Sequence, residues 1–212
     1  MDVVIAGGHG QIALRLEELL GARGTRVRGL IRNPEHGADL ETRGAEPVIC
    51  DMEAEEDLAP FVEGADAIVF AAGAGPGSGP ERKRSVDLGA AVKLIEAAGQ
   101  LGIDRYVMVS AIGASDPESS SEEMRPYYEA KSKADAELAR SGLAFTIVRP
   151  GALTNDPGTA HIRAGHDIGS GSITRADVAA TLAAVLAAPN AIGVTFDVLE
   201  GDVPIEDAVA AL

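Results

Sequence analysis

Apolar residues in this chain come in short unbroken runs, separated by longer stretches in which they recur every three or four positions. The runs Val3-Val4-Ile5-Ala6, Ala67-Ile68-Val69-Phe70 and Tyr106-Val107-Met108-Val109 are too short for helices and show no polar alternation. They fit strands buried on both faces, as in a parallel sheet covered by helices on either side. On this pattern strands are predicted at 3–6, 26–31, 46–49, 67–70, 106–109, 145–149 and 194–199. Helices are predicted near 10–23, 35–43, 54–62, 80–102, 126–141, 175–188 and 204–212. The alternation of the two predicts an α/β fold, a doubly wound parallel sheet with helices on both faces, in a single domain over 1–212. Ile12, Leu16, Leu19 and Leu20 share one face of the first helix, Thr174 and Asp177 form a capping signature, and Gly142 punctuates the end of the fifth helix. Three stretches read as irregular: Gly73 to Gly79, Ala114 to Arg125 and Gly151 to Ser172. Each follows a strand, which places all three at the carboxyl edge of the sheet, where open α/β folds bind ligands.

Between the first strand and its helix stands Gly7-Gly8-His9-Gly10-Gln11-Ile12-Ala13, which fits G-x-G-x-x-G/A from Gly8 to Ala13. Small residues at these places permit a tight turn, let backbone N–H groups approach a pyrophosphate, and let the helix pack on the strand. The helix N-terminus then offers its partial positive charge to the phosphates. Glycine turns also join strands to helices that bind nothing, but here the strand before and the amphipathic helix after supply the Rossmann-like context of a dinucleotide site. Arg32 closes the second strand, and no Asp or Glu occurs between Thr25 and Pro34. An acid there would read the ribose 2′-hydroxyl of NAD, whereas an arginine accommodates a 2′-phosphate, so NADP (NADPH) is expected ahead of NAD.

Composition narrows the setting. The chain has 212 residues, 46% of them hydrophobic, with no apolar segment long enough to span a bilayer. Met1-Asp2 leads directly into a strand, and the one cysteine, Cys50, has no Cys or His at metal-ligand spacing. A cytoplasmic protein with no membrane association and no metal is expected, with Cys50 acting as a small apolar residue at a strand end. The net charge of −15 argues against nucleic acid as a partner, because phosphate backbones are bound through clustered Lys and Arg.

Gly7 to Ala13, Leu30 to Pro34, Asp51-Met52, Ala71-Ala72-Gly73, Tyr127 to Lys131 and Val148 to Gly151 together resemble an atypical short-chain dehydrogenase/reductase. The chain is similar throughout to the small NAD(P)H-binding proteins of the NmrA-like and biliverdin reductase B (flavin reductase)-like group. The resemblance implies that Gly7, His9, Gly10, Gln11 and Ile12 line the pyrophosphate and that Arg32 faces the adenosine phosphate. It implies that Asp51 and Met52 sit beside the adenine, Asp51 accepting from its amine. Ala71, Ala72 and Gly73 would pass under the adenine-side ribose, and Pro150, Gly151, Ala152 and Leu153 would approach the nicotinamide.

Tyr127-x-x-x-Lys131 places a phenol and an ammonium on one helix face. In the family the tyrosine donates a proton as hydride arrives, while the lysine holds the nicotinamide ribose and lowers the tyrosine pKa. The family's substrate-orienting serine falls on Ser110 or on Ala111, and an orienting hydroxyl is lost if it is Ala111. His161 and His166 lack a supporting cluster, and Arg175 and Asp177 are expected to cap and pair at a helix start. The resemblance therefore implies an NADPH-dependent oxidoreductase passing hydride to a small-molecule substrate such as a flavin, quinone or carbonyl compound. Its alternative is an NADP-sensing regulator without turnover. A nucleotide-sugar epimerase or dehydratase is disfavoured, since little chain follows the sixth strand to build a substrate lobe. A monomer or weak homodimer is expected.

Overall fold

The computed structural model describes residues 1–75 and 77–212; Pro76, inside the predicted irregular stretch Gly73 to Gly79, lies outside the described residues. The first half of the chain runs β1 (Asp2–Ala6), α1 (Gln11–Ala22), β2 (Arg26–Ile31), α2 (Gly37–Glu41), β3 (Glu46–Ile49), α3 (Ala59–Val62) and β4 (Ala67–Phe70). There follow α4 (Pro80–Arg82), a π-helical stretch (Lys83–Ala90), α5 (Ala91–Leu101), β5 (Arg105–Val109), α6 (Arg125–Arg140) and β6 (Ala144–Pro150). The last part contains β7 (Ala152–Thr154), β8 (His161–Gly165), β9 (Ser172–Thr174), α7 (Arg175–Leu186), β10 (Val194–Glu200), β11 (Val203–Pro204) and α8 (Ile205–Ala210).

The main sheet has the order β11-β8-β10-β6-β5-β4-β1-β2-β3, parallel from β3 to β10, with β8 antiparallel to both β10 and β11. This is the α/β Rossmann-like fold expected from the sequence. β1 lies between β2 and β4, with Ile5 opposite Gly29 on one side and Val69 on the other. Val3 and Ile5 point into one core with α1, α7 and α8, while Val4 and Ala6 point into the other with the π-helical stretch, α5 and α6. Val3, Val4, Ile5 and Ala6 are all without exposure, which is why the run carries no polar residue. The chain leaves β1 toward β2 and β3, then crosses back to β4, so the crevice between β1 and β4 is the switch point where such sheets bind ligands.

Every predicted strand is present, and two expectations are corrected. The helix predicted over 54–62 is confined to Ala59–Val62. The acid-rich approach forms turns instead: Glu53 N–H donates to Asp51 Oδ1 at 3.1 Å and Ala59 N–H to Asp57 Oδ1 at 2.9 Å. The stretch Gly151 to Ser172, read as irregular, contains β7 and β8 and begins β9. In β8 only Ile162 is fully buried, so the strand has no apolar alternation to betray it. The capping signature is present: Thr174 Oγ1 accepts from Asp177 N–H at 3.0 Å at the start of α7. Arg175, at the same helix start, donates to Leu153 O at 3.2 Å and Asn155 Oδ1 at 3.0 Å. Among the described residues no helix is long and apolar enough to cross a membrane.

One core position breaks the apolar rule. Glu17 on α1 is fully buried, and neither carboxyl oxygen has a hydrogen-bond partner among the described residues. It lies beneath the glycine turn, where a Cβ added to Gly8 would stand 3.2 Å from Oε1 and one added to Gly29 would stand 2.7 Å from it. Burial pushes the carboxyl up to about 8 against a partial lowering by Arg43, so the folded protein holds a proton that the unfolded chain releases. The stability associated with that proton is present below the ordinary carboxylate range and is lost as pH rises toward 8. Glu17→Gln is expected to gain on the native chain by on the order of 2–4 kcal/mol between pH 5 and pH 9 in denaturant titrations. A difference that does not change with pH would show that Glu17 ionises freely in place.

Candidate functional site

The carboxyl ends of β1 to β6 and one face of α6 supply the residues around the switch point. The chain leaves β1 through Gly7, whose φ of +82° suits glycine, and an added Cβ there would stand 2.7 Å from Ala72 Cα. At Gly8 an added Cβ would stand 2.9 Å from Gly29 Cα, so this residue is fixed by packing against β2. Gly10 N–H donates to Gly7 O at 2.8 Å, and Gly10 is the N-cap of α1 without a side-chain cap or an acid in the first turn. The first-turn N–H groups of Gln11 and Ile12 thus meet no competing side-chain anion, which fits a phosphate cradle. His9, expected to line the pyrophosphate, stands in the same turn and its side chain has internal partners. Its Nε2 lies 2.8 Å from Asp39 Oδ2 and its ring stacks on His36 with centroids 3.6 Å apart, which turns the side chain toward α2.

At the ends of β2 and β3, Arg32 is exposed and its Nη1 lies 3.3 Å from Glu53 Oε2. Arg82 Nε reaches the same oxygen at 3.3 Å, and Ser85 Oγ donates to Glu53 Oε1 at 2.6 Å. Asp51 accepts from Glu53 N–H and so shapes the turn that presents this carboxylate, while Met52 packs against the core under β3. From the end of β4, Ala71 N–H donates to Ala6 O at 3.0 Å, Ala72 is buried, and Gly73 is exposed on the crevice side of β1.

On α6, Tyr127, Lys131 and Asp135 recur at every fourth position and form one inward face. Lys131 is buried, its ammonium donating to Val109 O at 3.1 Å and Ala72 O at 3.3 Å and lying 3.2 Å from Asp87 Oδ1 in the π-helical stretch. Burial pulls this ammonium toward neutrality, but Tyr127, Asp87 and Asp135 outweigh it and keep the group charged. Three internal acceptors thus surround the ammonium of the residue expected to hold a ribose. Ser110, the serine expected to orient substrate, is likewise turned inward. It is buried and its hydroxyl donates to Asp135 Oδ2 at 2.9 Å, an oxygen that also takes both Arg149 Nε and Nη2 at 2.9 Å. Burial raises the Tyr127 phenol above its ordinary value; Lys131 opposes this, and Asp87, Tyr128 and Asp135 add to it. Tyr128 points elsewhere, its ring packed against the Cα of Gly113.

Pro150 ends β6 in the core, and Gly151 follows where any Cβ would collide with Gly171 O and the Leu199 side chain. Ala152 and Leu153 are exposed on β7, which pairs in parallel with β9 and forms a small wall beside the crevice. The sequence reading missed Glu53, Arg82, Asp87, Asp135 and Arg149, which meet the predicted residues only through tertiary contacts. The four-residue repeat Tyr127, Lys131, Asp135 is the one local signal that would have found any of them.

The buried pair gives a structural test of Lys131. Lys131→Met is expected to destabilise the fold by roughly 3–5 kcal/mol, because Asp87 would keep a buried charge without its partner. Asp87→Asn combined with Lys131→Met is expected to recover most of that loss in thermal or denaturant unfolding, since asparagine keeps an acceptor for the Ala74 N–H that Asp87 Oδ2 now binds at 3.2 Å. A Lys131→Met protein as stable as the native one would mean that the pair is not a structural requirement.

Residues 7–189 match the model of a family described as NAD(P)H-binding. The chain is 43% identical to the uncharacterized sugar epimerase YhfK of Bacillus subtilis over 214 residues, covering all of both chains. Among solved structures it is similar to a putative NAD-dependent epimerase/dehydratase from Bacillus halodurans, with a TM-score of 0.95, 40% identity and full coverage of both chains. It is also similar to the oxidoreductase ylbE from Lactococcus lactis, with a TM-score of 0.87 and 29% identity over 100% of this chain and 96% of that one. With the glycine cradle at the switch point and a match over nearly its whole length, the chain belongs to the NAD(P)H-binding family of atypical short-chain dehydrogenase/reductase-like proteins.

Proposed function

We propose that the protein is an NADPH-dependent oxidoreductase whose acceptor is a small molecule able to delocalise the added charge, a flavin or quinone ahead of an isolated carbonyl compound. A nicotinamide cofactor supplies the hydride. Gly7 and Gly10 let the backbone approach the pyrophosphate, the N-terminus of α1 faces its charge, and Arg32 meets the 2′-phosphate. Pro150 to Leu153 flank the reacting end, with Tyr127 beside them as the proton donor.

The state of Tyr127 carries the choice of acceptor. Its phenol is raised by burial, and the lysine that would lower it is neutralised in part by Asp87, so the phenol keeps its proton and is a weak acid. Ser110 donates its hydroxyl hydrogen bond to Asp135. An isolated ketone needs strong acid assistance as hydride arrives, whereas a flavin or quinone spreads the charge over its ring. The same inward-turned lysine and serine favour a second reading, a nucleotide-sensing protein that binds NADP without turnover. The epimerase in two relatives' names is not carried over, because residues 151–212 go into the sheet edge and its covering helices and leave short loops to face a substrate.

Two measurements test the reading. Arg32→Ala is expected to weaken NADPH binding by on the order of 1.5–3 kcal/mol while leaving NADH nearly untouched; equal losses for both would remove the preference for NADPH. NADPH oxidation against flavins, quinones, aldehydes and ketones is expected to be fastest with the first two. There Tyr127→Phe should cost a few-fold, against roughly 10²-fold or more for any carbonyl compound reduced. Tight NADPH binding with no acceptor reduced would replace the enzyme by the sensor.

A further inference from the structure

At the carboxyl ends of β2 and β3 one carboxylate oxygen is shared by two guanidiniums. Arg32 Nη1 and Arg82 Nε each lie 3.3 Å from Glu53 Oε2, and Ser85 Oγ donates to Oε1 at 2.6 Å. Both guanidinium contacts exceed the about 2.7–2.9 Å of a well-formed charge-assisted bond, and neither is bidentate. Arg32 comes from beyond β2, Arg82 from α4 and Ser85 from the π-helical stretch, so donors from three elements converge on a single anion. The two arginines are 55% and 44% exposed and Glu53 26%, which leaves the cluster open to a ligand from solvent. Two positive charges face one negative charge on a chain of net charge −15. A phosphate monoester, with three acceptor oxygens and close to two negative charges, satisfies these donors more fully than one carboxylate.

We propose that Glu53 is the internal anion of the ribose 2′-subsite: it sits where a 2′-phosphate would bind, competes with it for Arg32 and Arg82, and sets how far the protein prefers a 2′-phosphorylated dinucleotide. The inference rests on Arg32 facing the adenosine ribose, as in the reading above. With the carboxylate in its seat a ribose 2′-hydroxyl donates to it, which is the contact an acid makes in NAD-specific sites. With the carboxylate swung aside, a phosphate takes both guanidiniums and the Ser85 hydroxyl. The expectation that the ribose-binding acid is missing, drawn from the absence of Asp or Glu between Thr25 and Pro34, is thereby revised: an acid reaches Arg32 from beyond β3.

Calorimetric titration of the full chain with NADPH and NADH, and with the fragments 2′,5′-ADP and 5′-AMP, tests this without any turnover. Glu53→Gln keeps the shape and an acceptor for Ser85 but removes the competing charge. It is expected to raise the ratio of NADPH to NADH affinity roughly tenfold, and the ratio of 2′,5′-ADP to 5′-AMP likewise. Arg82→Met, which leaves Glu53 intact, is expected to lower both ratios by roughly tenfold. Ratios that Glu53→Gln leaves unchanged, or lowers, overturn the proposal. If Arg32→Ala collapses the ratios while Glu53→Gln does not move them, only the role of Glu53 falls; if Arg32→Ala leaves them unchanged, the NADPH reading falls with it.

Discussion

The ammonium of Lys131 is buried, and most of the site's architecture follows from where its charge is met. Two of its partners are the carbonyls of Ala72 and Val109, just past β4 and at the end of β5, and the third is the carboxylate of Asp87. One side chain therefore fixes α6, the π-helical stretch and the carboxyl ends of two neighbouring strands relative to one another. Asp87 lies within a segment wound as a π-helix, a form that is rare in general and concentrated at functional sites. Its other oxygen takes the Ala74 N–H and holds the start of the loop after β4. A buried ion pair of this kind adds little net stability over apolar packing, but removing one partner is costly, so it specifies an arrangement more than it strengthens one.

The same arrangement limits the chemistry at the crevice. Tyr127 stands one turn before Lys131, and an unopposed ammonium there would make the phenol a better acid. Burial opposes it most strongly, and Asp87, Tyr128 and Asp135 add to that effect. One turn beyond Lys131, Asp135 collects Ser110 and Arg149 and draws the serine hydroxyl away from the crevice. The polar groups on this face of α6 are thus spent largely on each other. Exposed at this edge are Gly10 of the glycine turn, Arg32, Arg82 and two residues of β7, Ala152 and Leu153.

The sheet was legible because burial on both faces of a strand leaves no polar residue in it, as in Val3 to Ala6 and Ala67 to Phe70. β7, β8, β9 and β11 were not: β7 and β9 form a separate two-stranded sheet, β8 and β11 lie at one edge of the main sheet, and among their apolar residues only Ile162 and Ile173 are fully buried. Asp57 and Pro60 delayed the start of the expected helix to Ala59 by supplying turn and first-turn chemistry that amphipathic periodicity does not register. In the site, the glycine turn could be read because a left-handed φ at Gly7 and the close approach of Ala72 admit no side chain. Tyr127 and Lys131 were found by helical spacing, but the spacing does not say what the lysine binds. Asp87, Asp135 and Glu53 come from other elements, and only the folded chain brings them to Lys131, Ser110 and Arg32.

The glycine turn and Glu17 show how one constraint serves another. Gly8 and Gly29 approach each other closely enough to seal the space under the turn, and Glu17 lies in that space with neither oxygen bonded. A carboxylate there would set a full negative charge beneath the N-terminus of α1 and oppose the partial positive charge that attracts phosphates. The burial that excludes water raises the carboxyl to about 8, so the group stays protonated at neutral pH and the desolvation weakens the core at alkaline pH. The proton that Glu17 keeps on folding thus ties this part of the core to pH: the stability associated with it declines as pH rises toward 8.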